Sequence, residues 1–310
     1  MLRYPYLLAD VFTNRPFTGN PLAVFPEGEK VPPEMMLLIS RELNLSETVF
    51  VLPPEDPRHA ARLRIFTPGG ELPFAGHPTV GTACLLAATG RATGPHIVLE
   101  EEVGPVAVAL STHEGLPHAS FQVPLDPVGS ATPLSRETLG AILSLPESGI
   151  GWPEEGDRLA AAPEVWSCGV PFTVVPVSGR DMLRQARVEM ALWQGKMAGG
   201  KAPNLFVVCR DVAEAGVIHA RMFAPALGVP EDAATGAAAA AVAGFLAALA
   251  PGARGGQRWV IHQGAEMGRP AVIELEAEVR DGTATRVRVG GSIHPMGSGV
   301  VELPEGVLAR

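Results

Sequence analysis

Two runs of this chain carry no formal charge where a helix is expected, and they limit what it can fold into. Residues 72–90 contain no aspartate, glutamate, lysine or arginine, and neither do residues 233–253. A helix that is apolar all round has no face to give to water, so it must be surrounded. In a chain otherwise rich in short strand signals, the available cover is a curled sheet. The second run is long enough to raise a membrane span. It is mostly alanine and glycine with few large apolar side chains, so the expectation is a buried helix and no membrane partner.

Both runs begin in the same way. Arg64-Ile-Phe-Thr-Pro68 leads through a Gly/Pro turn to Ala75-Gly-His-Pro78. Arg221-Met-Phe-Ala-Pro225 leads to Glu231-Asp-Ala-Ala-Thr-Gly-Ala237 about half a chain later. Two helix starts, each with polar or ionisable groups, suggest one site built from two related halves. Strand patterns are expected over 7–12, 22–25, 46–52, 61–66, 97–101, 103–110 and 119–123, and a helix over 32–43. A stretch rich in Pro, Gly and Ser over 124–163 reads as a crossover with a short helix at 135–144. Then come a strand at 170–177, a helix through 179–195, strands at 204–209 and 216–223, the helix at 235–250, and strands at 257–264, 271–279 and 283–290.

The bulk numbers exclude several classes. A net charge of −9 without a basic patch argues against nucleic acid. Three cysteines, Cys84, Cys168 and Cys209, form no Cys-x-x-Cys pair and are odd in number, so neither a disulfide framework nor a zinc site is expected. They read as free, buried thiols in a reducing cytoplasm. The first residues lack the apolar core and small-residue cleavage site of a secretory signal. His113 and His118 are too isolated for a metal site. The runs Glu100-Glu-Glu102 and Asp211 to Glu214 read as solvated.

Taken alone, the candidate site residues have two readings each. Glu47 is a solvated glutamate at a strand start, or a base desolvated beside Thr48-Val-Phe-Val51. His77 and Asp232 are caps at helix starts, or groups facing a ligand. Gly76 and Gly236 serve turn geometry, or let backbone N–H groups approach a carboxylate.

These motifs, in this order and over essentially the whole chain, resemble the PhzF-like family of phenazine-biosynthesis isomerases, within the diaminopimelate epimerase-like fold. The resemblance rests on Phe17-Thr-Gly-Asn-Pro-Leu-Ala-Val24, Leu45-Ser-Glu-Thr-Val-Phe-Val51, Thr67 to Gly81, Glu231-Asp-Ala-Ala-Thr-Gly236, Gln263 to Pro270 and Val289-Gly-Gly-Ser292. It implies an α+β fold of two pseudo-symmetric lobes, each a curled, mostly antiparallel sheet around a central apolar helix. Residues 1–123 would form one lobe, joined by a last strand at about 298–310, and 124–297 the other.

It also implies a site in the cleft between the lobes, without metal or organic cofactor. Glu47 would shuttle a proton, and burial would raise its pKa. His77 and Asp232 would contact the substrate and assist. Gly76, Gly236 and Asn20 would bind it. The partner would be a small carboxylate, the family's named one being trans-2,3-dihydro-3-hydroxyanthranilate, and the assembly a homodimer in the cytoplasm. The family's second motif usually reads Glu-Asp-Pro-Ala-Thr-Gly-Ser. Here Ala233 replaces the proline and Ala237 the serine, which removes a hydroxyl from the site. The alternatives are an epimerase of an amino or hydroxy acid, and a non-catalytic small-acid binding protein. The two-thiol epimerases of this fold are disfavoured, because the helix starts carry Ala75 and Ala233 in place of cysteine.

Overall fold

The computed structural model describes residues 1–154 and 159–306. Residues 155–158 of the expected crossover, and 307–310 of the expected last strand, lie outside the described residues. The chain divides into two compact units, Met1–Phe121 with Gly291–Arg310, and Gln122–Gly290.

The first unit holds β1 (Leu2–Val11), β2 (Asn20–Phe25), α1 (Pro33–Leu43), β3 (Glu47–Leu52), β4 (Ala61–Thr67), β5 (Gly70–Leu72), α2 (Gly76–Ala88), β6 (His96–Glu101), β7 (Gly104–His113) and β8 (Leu116–Gln122). β1 runs antiparallel to β2, β2 parallel to β3, and β3 antiparallel to β4. β4 continues parallel to β6, and β6, β7 and β8 form an antiparallel meander. α2 is the first charge-free run. All its residues from Gly76 to Leu86 are buried, against β1, β2, β3, β6 and β7. Val80, Leu85 and Leu86 each contribute roughly 1.5–3 kcal/mol by leaving water. Gly81 is where the helix comes closest to the sheet: a Cβ there would lie 2.5 Å from Leu22 Cδ2 and 2.8 Å from Val11 Cγ2. α1 covers the outer face of the sheet, with Met35, Met36 and Ile39 against Phe25, Phe50 and Phe66.

The second unit holds β9 (Val128–Ala131), α3 (Arg136–Leu143), β10 (Glu164–Ser167), β11 (Pro171–Pro176), α4 (Arg180–Gln185), α5 (Met190–Lys196), β12 (Asn204–Arg210), β13 (Val217–Ala224), β14 (Val229–Asp232), α6 (Gly236–Ala248), β15 (Arg254–Gln263), β16 (Ala271–Arg280) and the first part of β17 (Thr283–Leu303). β11 is parallel to β12, and β13 to β15; the other pairs in this unit are antiparallel. α6 is the second charge-free run, buried from Ala238 to Ala247 and packed on β9, β10, β11 and β16. Among the described residues no helix is long and apolar enough to cross a membrane. The fold class is α+β and sheet-dominated, as the sequence led us to expect.

Five expectations need correction. The helix expected through 179–195 is two helices, α4 and α5, separated by an extended Ala186. The strands expected at 283–290 and at about 298–310 are parts of one strand, β17, which runs unbroken from Thr283 to Leu303, its final part pairing with β1. The cap of α6 is Thr235, and Asp232 ends β14. The Glu100–Glu102 run is not simply solvated: Glu101 is 6% exposed and faces inward. Nor is Asp211 a free surface acid, since it accepts from His219 Nε2 at 2.8 Å and from the N–H groups of Ala213 and Glu214.

Candidate functional site

In the first unit the parallel pairing of β2 and β3 sets Leu22 beside Glu47, so both strands begin at the same end of the sheet. Asn20 opens β2 and Glu47 opens β3. α2, packed on these strands, brings its second residue, His77, to them. The Nδ2 of Asn20 lies 3.4 Å from His77 Nδ1, and Glu47 Oε2 lies 3.3 Å from the same nitrogen. Asn20 is fully buried, His77 is 2% exposed, and the Glu47 side chain is 13% exposed. Gly19, with φ +66°, makes the turn into Asn20, and a Cβ there would strike the Val11 carbonyl at 2.3 Å.

Burial pushes the His77 imidazole down to about 3. The cause is loss of water on burial, which disfavours the charged ring. At neutral pH the ring is therefore uncharged, and its contact with Glu47 is not a salt bridge. One ring nitrogen carries a hydrogen and the other accepts. Nδ1 faces Asn20 and Glu47; Nε2 is buried without a partner among the described residues. Gly76 is the first residue of α2, whose opening N–H groups have no partner within the helix.

In the second unit Asp232 is 6% exposed and accepts from Thr235 Oγ1 at 2.5 Å. Gln263 locks this turn. Its Oε1 accepts from the Thr235 N–H at 3.1 Å, while Nε2 donates to the Asp232 carbonyl at 2.8 Å and to Thr235 Oγ1 at 3.1 Å. Gly236 opens α6, and Gly264, with φ +77°, lets the chain turn within 2.6 Å of the Ala233 carbonyl as measured from an added Cβ. Arg221 ties Glu231, the neighbour of Asp232, with bonds of 2.8 and 2.9 Å to its two oxygens.

Gln263 and Glu101 were not singled out as functional by the sequence reading. Period-two alternation was the available signal: Ile97, Leu99 and Glu101 share the buried face of β6, and Ile261 and Gln263 that of β15. The three thiols are free and buried, and burial raises Cys84 and Cys168 to about 12 and Cys209 to about 11. The residues that cap α2 and α6 are Ala75 and Thr235, so neither helix start offers a thiol.

Residues 9–298 match the family model described as phenazine biosynthesis-like protein. An uncharacterized isomerase of Mesorhizobium japonicum is 43% identical over 92% of this chain and 94% of its own. The trans-2,3-dihydro-3-hydroxyanthranilate isomerase of Pseudomonas fluorescens is 36% identical over 96% of this chain and 99% of its own. Among solved structures, a PhzF-family phenazine biosynthesis protein of Bacillus anthracis has a TM-score of 0.86 at 21% identity, covering 98% of this chain and 100% of that one. A predicted epimerase of Pseudomonas aeruginosa has a TM-score of 0.78 at 32% identity, covering 97% and 100%. Sequence and fold thus agree along nearly the full length, and the chain belongs to the phenazine biosynthesis-like (PhzF) family, as an isomerase of that family.

Proposed function

We propose that this isomerase moves a proton between carbons of a small carboxylate-bearing substrate, with Glu47 taking the proton from one carbon and returning it to another. The observation that supports this is the Asn20–Glu47–His77 group. A carboxylate mostly withdrawn from water is suited to attack a weakly acidic C–H. A neutral imidazole beside it supplies a hydrogen bond without a competing charge. The ring has one hydrogen: on Nδ1 it can be donated to Glu47, and on Nε2, with Nδ1 accepting from the Asn20 amide, it can be donated to an anion developing on the substrate. The first N–H groups of α2 at Gly76 suit a substrate carboxylate. For Asp232 and Gly236 the proposal rests on the family motif and on the rigid turn that holds them.

A single carboxylate is favoured over a thiol pair because each cysteine is buried and held in its thiol form. The relatives' named substrate, trans-2,3-dihydro-3-hydroxyanthranilate, is the first compound to test. Ala237, where the family serine stands, extends the test to amino and hydroxy acids. Each would be incubated with the protein in heavy water and followed by NMR. Deuterium at a carbon with relocation of a C–H supports the proposal, and exchange with inversion at one carbon supports an epimerase. Saturable binding with no exchange of any compound would leave a binding protein and remove the proposed reaction.

A further inference from the structure

The end of β6 carries a buried acid that the catalytic proposal does not use. Glu101 Oε1 lies 2.6 Å from Thr79 Oγ1 in the first turn of α2. Thr79 Oγ1 lies 2.7 Å from the carbonyl of Ala75, the residue that caps the helix without a side-chain bond of its own. The Ala75 N–H is directed at the Glu101 carboxyl as well. Glu101 Oε2 is buried and has no partner among the described residues.

The single hydroxyl hydrogen of Thr79 separates two protonation states of Glu101. Thr79 has one hydroxyl hydrogen, and it serves either Ala75 or Glu101. If it goes to the Ala75 carbonyl, the 2.6 Å contact needs a hydrogen from Glu101. A protonated acid supplies it, and Oε2 is then a neutral carbonyl oxygen, which costs less to leave unpaired than a charged one. An ionised carboxylate would bury a charge with one oxygen unsatisfied.

The charges nearby do not offset that cost. α2 offers only the neutral His77 and Cys84. On β4, Arg64 is engaged by Glu71 of β5, and Arg62 by Glu55. Glu100 is engaged by His59 and by the N–H groups of Glu55 and Asp56, and β7 brings only His113 at its far end. Burial raises the Glu101 carboxyl to about 8.

The second unit solves the same problem with an amide. The cap of α6, Thr235, donates its N–H to Gln263 at the end of β15, and Gln263 donates back to the turn. A protonated glutamate and a glutamine present the same pair, one acceptor oxygen and one donor. We propose that Glu101 is kept as a neutral carboxylic acid and is a positioning residue, clamping the Ala75–Thr79 turn that presents Gly76 and His77, as Gln263 clamps the turn before Gly236. Its importance for catalysis rests on the role proposed above for His77; its proton does not.

The test compares wild type with Glu101→Gln and Glu101→Ala. A group whose folded pKa is raised stabilises below its unfolded value and loses that contribution as pH rises through the folded value. The melting temperature of wild type should therefore fall relative to Glu101→Gln between about pH 4.5 and 8, then level off. A difference that is flat or reversed with pH overturns the proposal. Should Glu101→Gln not fold, the infrared C=O band of a protonated acid in wild type carrying 13C-glutamate decides. It must be present at about pH 7 and titrate away near 8, and its absence at pH 7 overturns the proposal. In heavy-water exchange at neutral pH, Glu101→Gln should keep the wild-type kcat, while Glu101→Ala should lose about tenfold or more through misplacement of His77. Equal losses in both variants would refute the positioning role. If wild type exchanges no substrate, the proposed reaction fails, while the melting and infrared results still decide the state of Glu101.

Discussion

Arg64 and Arg221 stand at matching places in the two Arg-x-Phe-x-Pro motifs, yet removing them should have very different costs. Each guanidinium makes a two-pronged pair with a glutamate, Arg64 at 2.7 and 2.6 Å and Arg221 at 2.8 and 2.9 Å. Each also sits over a phenylalanine, at 5.1 and 4.9 Å from the ring centre. What differs is water. The side chains of Arg64 and Glu71 are 29% and 35% exposed, whereas those of Arg221 and Glu231 are 6% and 20% exposed. Arg221 also donates to the carbonyls of Leu183, Arg184 and Ala186 at 3.1, 3.3 and 2.8 Å, closing the end of α4. Replacement by methionine keeps much of the apolar stem and removes the charge. Arg64→Met should cost about 0–1 kcal/mol, the range for exposed pairs. Arg221→Met leaves the half-buried Glu231 carboxylate and three carbonyls without their buried donor, and should cost about 3–5 kcal/mol. At about 2–4 °C per kcal/mol, thermal unfolding should drop by roughly 0–4 °C for the first and roughly 6–20 °C for the second. Adding Glu231→Leu to Arg221→Met should recover much of the loss, since the stranded charge is gone. Equal losses at the two arginines would refute the argument from burial.

Three further outcomes follow from the packing and the protonation states. Gly81→Ala should destabilise by about 1–3 kcal/mol through its contacts with Leu22 and Val11, offset in part by up to about 1 kcal/mol of helix propensity, so that a net rise in melting temperature would contradict the close approach of α2. His77 should show a neutral imidazole by 15N NMR down to about pH 4. Because its folded pKa is depressed, native stability should fall as pH drops below about 6.5 and less so in His77→Gln; an imidazole that titrates near 6.5 would contradict its burial. Native protein at about pH 8 should react with thiol reagents far more slowly than unfolded protein, and rapid labelling of any cysteine would contradict the burial of all three.

The two enclosed helices were legible because an absence of charge over four helical turns admits few other structures. Most strands were legible from alternation. The features that escaped depend on partners far away in the chain. The break between α4 and α5 lies where Arg221 takes the carbonyls at the end of α4, and where the N–H groups of Arg187 and Glu189 donate to Leu143 and Ile142 at 2.9 and 2.8 Å. No local pattern announces such a competitor for helical hydrogen bonds. That the strands expected at 283–290 and about 298–310 are one continuous β17 depends on β1, at the opposite end of the chain. β5, β9, β10 and β14 span only three or four residues, too few to show a period. Glu101 was misread because a run of three glutamates looks solvated, although its position after Ile97 and Leu99 pointed inward. The juxtaposition of Asn20, Glu47 and His77 follows from parallel strand pairing and helix packing, which spacing in the sequence does not encode. Those residues were singled out through the family motifs.

The central claim concerns the carboxyl of Glu47, and isotope exchange addresses it most directly. Wild type, Glu47→Gln and Glu47→Asp would be incubated in heavy water with a compound that wild type turns over, with circular dichroism confirming that each variant is folded. The account predicts that Glu47→Gln loses about 10²–10⁴-fold in the rate of carbon-bound deuterium uptake, while Glu47→Asp keeps part of it. Wild-type exchange in a folded Glu47→Gln protein would contradict the account, because the proton would then be moved by another group.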